Sequence, residues 1–79
     1  MTGAGIHDGD LLMVDRSLEA KDGRVVIAAV NGELTVKRLV RKKGMARLEP
    51  ENPAYQPITF NEDDDVRIWG VVTNVIHPL

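Results

Sequence analysis

The chain has no cysteine among its 79 residues. Disulfides are therefore excluded, and a structural zinc site would have to be built from His7, His77 and carboxylates without thiolates. The absence fits a reducing compartment, and a cytoplasmic protein is expected. Serine is almost missing too, with Ser17 the only one. Covalent catalysis has little to draw on among hydroxyl and thiol side chains. No apolar run approaches the ~20 residues of a membrane-spanning helix. The opening Met1-Thr2-Gly3-Ala4-Gly5 carries neither the basic nor the apolar region of a secretory signal. An excess of one charge sign is lacking as well. Ten basic and twelve acidic residues leave a net charge of −2, which does not suggest a nucleic-acid binder.

What remains is ordinary for a globular domain, with 43% apolar and 28% charged residues. The length allows one domain, residues 1–79. A chain this short buries roughly 60–65% of its unfolded surface. Small domains make up the deficit with disulfides, metals or oligomerisation. The first is impossible here and the second poorly supplied, so oligomerisation is expected.

The apolar runs are short and strand-like. Residues 11–14 (LLMV) follow the turn signal Asp8-Gly9-Asp10. Residues 24–30 (RVVIAAV) are β-branched and apolar on both parities, as in a strand covered on both faces. Asn31-Gly32 between two such runs is a strong hairpin signal, because a type I′ turn needs positive φ at both positions. The return strand is 33–41, and Lys43-Gly44 predicts a second turn into 45–48. Pro50, Pro53 and Pro57 make 49–57 a loop. Residues 58–60 form a short strand, 61–65 an acidic turn, and 66–76 a long strand kinked or bulged near Gly70. Helical periodicity is nowhere sustained; one turn at 17–21 is the most that is predicted. The expected fold is all-β, a small half-closed barrel of six or seven strands.

Several constellations carry chemistry. Lys37 lies in mid-strand and shares its face with Glu33, Thr35 and Leu39, while Leu34, Val36 and Val40 face the other way. A lysine that is desolvated and neutral can serve as general base for a serine; the competing reading is a solvated strand lysine. Lys37, Arg38, Arg41, Lys42, Lys43 and Arg47 fall within eleven residues with no acid among them. They form either a ridge for phosphate or an acidic partner, or a charged edge that discourages aggregation. No aromatic residue interleaves with them, so a base-stacking platform is missing. Glu62-Asp63-Asp64-Asp65 reads as a solvated turn without calcium-loop spacing. Asp22-Gly23 is turn chemistry. Ser17, beside Asp15 and Glu19, has no glycine elbow around it and suits a capping role.

The order of these words resembles one family. Gly9-Asp10-Leu11-Leu12-Met13-Val14-Asp15 is followed by Asp22-Gly23-Arg24-Val25-Val26-Ile27-Ala28-Ala29-Val30, and then by Asn31-Gly32-Glu33-Leu34-Thr35-Val36-Lys37-Arg38-Leu39. Next come Leu48-Glu49-Pro50-Glu51-Asn52-Pro53-Ala54-Tyr55-Gln56-Pro57-Ile58 and Trp69-Gly70-Val71-Val72. The chain is similar, over nearly its whole length, to the C-terminal catalytic domain of LexA-type repressors and UmuD-type mutagenesis proteins. Residues 26–39 and 52–58 look more like UmuD. The resemblance implies a self-cleaving serine protease with a Ser–Lys dyad on a mostly β fold, working as a homodimer without cofactor or metal. Cleavage would be stimulated by a RecA–single-strand DNA filament in the SOS response to DNA damage. The processed product would join an error-prone DNA polymerase subunit in translesion synthesis. Lys37 matches the family's lysine and is the expected general base.

One departure accompanies the match. By resemblance, Met1 aligns with the methionine that follows the nucleophilic serine, so that serine falls immediately upstream of residue 1. Thr2 is no substitute. As written, the chain is expected to hold half a dyad, and whether it is an enzyme by itself stays open. Two alternatives stand beside the UmuD-type reading. One is the C-terminal dimerisation and self-cleavage domain of a LexA-type or phage transcriptional repressor. The other is a small β-barrel binding module using the ridge at 37–47.

Overall fold

A computed structural model of the chain describes residues 5–50, 57–60 and 66–79, apart from the side chains of Ile58 and Phe60. Six strands lie within them: β1 (Leu11–Asp15), β2 (Val25–Val30), β3 (Glu33–Lys42), β4 (Met45–Glu49), β5 (Ile58–Phe60) and β6 (Val66–Ile76). They form one antiparallel sheet in the order β1-β6-β2-β3-β4-β5. These are the six runs read from the sequence. The acidic turn at 61–65 and most of the proline-bearing loop lie outside the described residues.

The hairpins follow from local chemistry. Asn31 and Gly32 have φ of 51° and 85°, and Lys43 and Gly44 have φ of 45° and 80°. Positive φ at both central positions is what a type I′ turn requires, and its twist matches that of the flanking strands. Two-residue turns then fix the closing pairs as Val30↔Glu33 and Lys42↔Met45.

Register decides which side chains meet. Directly opposed residues of an antiparallel pair point to the same face. Val26 opposes both Val71 and Lys37, Ala28 opposes Thr35 and Ile68, and Leu39 opposes Leu48. Val26, Ala28, Leu39, Leu48 and Val71 all have zero exposure, and Ala20, Val30, Ala46, Val66 and Ile68 pack around them. A flat single sheet would leave such residues wet. Five covered residues from four neighbouring strands require the sheet to curl, with this face inside. The curl stops short of closure, because β1 and β5 remain at opposite edges. The half-closed architecture expected from the sequence is therefore the one observed.

The long strand β6 departs from the expectation in detail. The irregularity sits at Trp69 rather than Gly70: Ile27 pairs with Gly70 and Ala28 with Ile68, so Trp69 is the extra residue. A second bulge faces β1, where Met13 pairs with Asn74 and Val14 with Val72. The skipped Thr73 donates its hydroxyl to the Met13 carbonyl at 3.3 Å. Gly70 serves a different need, since a Cβ there would lie 2.4 Å from Val14 Cγ1. The Val14 side chain fills the space above Gly70, and a Cβ there would force it to shift.

The predicted helical turn at 17–21 does not form. The Asp15 carboxylate accepts from the Ser17 backbone N–H at 2.8 Å and from its hydroxyl at 2.6 Å. This local closure offers the backbone an alternative to the helix.

Candidate active site

Lys37 stands on the inner face of the curl. It is half-buried, opposite the fully covered Val26 and one strand repeat from the fully covered Leu39. The neighbours that period-two alternation assigns to it, Thr35 and Leu39, are on its side, while Leu34 points away and is exposed. A depression of about 510 Å³ opens beside it, lined by Val30, Asn31, Glu33, Leu34 and Thr35. A lysine on this inner face, with open space alongside, can be approached by a group brought in from outside the sheet.

Ser17 is not that nucleophile. It follows β1, and β6 and β2 intervene before β3. Three strand spacings, each about 4.8 Å along the sheet, lie between β1 and β3. Its hydroxyl is also committed to Asp15. The Asp15 carboxyl is held below its usual range by the Ser17 hydroxyl first and the Ser17 N–H second.

The basic ridge does not exist as one surface. Alternation along β3 sends Lys37 and Arg41 to the inner face and Arg38 and Lys42 to the outer one. Arg38 Nη1 donates to the Gly23 carbonyl at 2.6 Å, and Arg47 pairs with Glu49 at 2.6 Å. Lys42 and Arg47 share a small outer hollow of about 270 Å³ with Val40, Met45 and Thr59. The pleat thus divides the strand cations between two faces.

One cluster escaped sequence reasoning. His7 and His77, distant in the chain, have ring centroids 5.5 Å apart. Between them lies the Asp10 carboxylate, whose side chain is only 3% exposed. Its Oδ2 accepts from the His7 backbone N–H at 2.7 Å and meets His77 Nδ1 at 2.7 Å. The signal was the β1–β6 register: with Leu11 opposite Ile76, the next pair outward is Asp10 with His77.

The Asp10 carboxyl is held below its ordinary value of 3.8, chiefly by the His7 N–H; burial opposes this and His77 adds to it. A depressed folded value means that the stabilisation is present above the unfolded value and is lost as pH falls through the folded one. Denaturant midpoints below about pH 4 are therefore expected to fall less steeply for Asp10→Asn than for the parent. Superimposable acid slopes would remove Asp10 from the account.

The sequence pattern of the family described as Peptidase S24-like matches residues 1–73. A LexA repressor of Bordetella parapertussis is 45% identical over 76 residues, covering 96% of this chain and 35% of that protein. LexA repressor 2 of Pseudomonas syringae pv. tomato is 46% identical over 72 residues, 91% of this chain and 36% of its own length. LexA repressor 1 of Xanthomonas oryzae pv. oryzae is 49% identical over 72 residues, again 91% of this chain and 36% of its own length. The chain thus spans little more than one third of these relatives, all of them named repressors and none a UmuD-type protein. By the match over residues 1–73, on an all-strand fold, this chain belongs to the Peptidase S24-like family.

Proposed function

We propose that the chain is the self-cleavage and dimerisation domain of a LexA-type repressor of the SOS response, acting in the cytoplasm. Lys37 is the general base of a Ser–Lys dyad. The serine belongs to chain N-terminal to Met1, as the family pattern implies. The observation that carries this reading is Lys37 itself: a lysine half-buried on the inner face of the curl, opposite the fully covered Val26. The relatives' printed names favour a repressor over a mutagenesis protein. The test is intact mass after incubating a chain extended with its native upstream residues, with and without a RecA–single-strand DNA filament. A discrete smaller product supports the reading. An unchanged mass under both conditions, and at alkaline pH, overturns it.

Dimerisation belongs to the same proposal. Leu11 and Met13 on the edge strand β1 and Ile76 on β6 share one face and are 66%, 53% and 48% exposed. A second copy covering them would supply the burial a small domain lacks. Sedimentation that finds only monomer at high concentration excludes this contact.

The UmuD-type reading, with an error-prone polymerase as partner, keeps support from the wording of residues 26–39 and 52–58. The upstream coding sequence separates the two. A repressor carries a helix-turn-helix there, and a UmuD-type protein only a short arm.

A further inference from the structure

The pairing of β2 with β3 is regular from Val30↔Glu33 to Val25↔Arg38 and then changes. Gly23 N–H donates to the Leu39 carbonyl at 2.8 Å, while Leu39 N–H donates to the Arg24 carbonyl at 2.9 Å. Leu39 therefore faces two residues at once, with Gly23 at φ 86°. This is a β-bulge with glycine in its left-handed position, and such bulges bend a strand and increase its twist. Residues 21–24 form the attached turn, closed by Arg24 N–H donating to the Lys21 carbonyl at 3.2 Å. Positive φ at the third position is what a type II turn requires.

Two side chains fasten this turn to β3. Arg38 reaches back to the Gly23 carbonyl at 2.6 Å, and Asp22 Oδ1 accepts from the Arg41 backbone N–H at 2.8 Å. Four hydrogen bonds thus grip residues 38–41, beginning at the residue after Lys37. The lysine occupies one of the last two regular rungs before the bend. Lys37 is half-buried on the inner face at this point, so a change in the bend would move the strand position from which its side chain springs.

We propose that the turn at 21–24 is a positioning device for Lys37, with Asp22 and Arg38 as its positioning residues. Its relevance to catalysis rests on Lys37 being the base. Its geometry does not. Loosening either tether lets β3 relax and exposes the Lys37 amine.

The test uses the 79-residue chain and reads amine accessibility. Acetylation by an N-hydroxysuccinimide ester is followed by peptide mass spectrometry, and the rate at Lys37 is divided by that at Lys43 in the same molecule. Asp22→Ala is expected to raise this ratio about threefold, the shift from losing the net contribution of one hydrogen bond. Arg38→Gln is expected to raise it in the same direction. Asp22→Asn keeps the Oδ1 acceptor and is expected to keep the parent ratio. Lys43 is exposed and reports the reagent alone, so general loosening is read separately, from the urea midpoint of each variant. An unchanged ratio in both Asp22→Ala and Arg38→Gln overturns the proposal, as does an Asn variant that behaves like the Ala variant. Such a failure leaves Lys37 as base untouched. An extended Lys37→Ala chain that still cleaves itself would instead remove the base and leave this result standing.

Discussion

In a chain carrying its native upstream residues, Lys37→Ala is expected to slow self-cleavage by about 10²–10⁴-fold, the usual contribution of a positioned general base. The serine hydroxyl must lose a proton as its oxygen attacks the scissile carbonyl, and the leaving amine must gain one as the C–N bond breaks. A single lysine can do both in turn, provided that it starts neutral. Two further outcomes follow. The parent's rate should climb with pH, because only the unprotonated amine accepts a proton, and the alanine variant should lose that dependence. Lys37→Arg should be as inactive as Lys37→Ala, since a guanidinium keeps its proton throughout. Time courses of intact mass at several pH values read all three. An alanine variant that cleaves at the parent's rate, with the parent's pH profile, would remove Lys37 from the chemistry.

Leu39→Ala is the substitution expected to cost most in stability. Leu39 and Leu48 oppose each other at zero exposure in the centre of the curl. Truncating a buried leucine costs about 2–5 kcal/mol, because the cavity left behind collapses only in part. Domains have roughly 0.05–0.15 kcal/mol of stability per residue, so one such loss rivals the total for a chain this short. Leu34→Ala is the control: the same residue type on the same strand, but on the opposite face and 62% exposed. Its effect should stay within about 0.5 kcal/mol. Urea midpoints compare the two at similar m. A Leu39→Ala shift no larger than that of Leu34→Ala would mean that the inner face is not the core.

The strands were legible because their signals are local. Asn31-Gly32 and Lys43-Gly44 announce two-residue turns, and those turns fix the register of β2, β3 and β4 without long-range information. Lys37's side of the sheet followed from the same register. Features that depend on β6 could not be read this way. Trp69 and Thr73 are bulged only relative to partners far away in sequence. His77 meets Asp10 only after β6 has paired with β1. The basic stretch shows the opposite limit, since cations adjacent in sequence are sent to alternate faces by the pleat. Ser17's fate was half-legible: a capping role was expected, and Asp15 draws the hydroxyl into a bend instead of a helix.

Strand order also bears on how the protein is made. β2 to β5 are sequence neighbours paired in succession, so they can assemble as each leaves the ribosome. β1 cannot join them then. Among the described strands its one neighbour is β6, which is made after the other five and must slot between β1 and β2. Until β6 emerges, β1 waits without a sheet partner and one edge of β2 stays open. Chains that end before residue 66 should therefore be readier substrates for proteases than the 79-residue chain, whose β6 pairs with both β1 and β2.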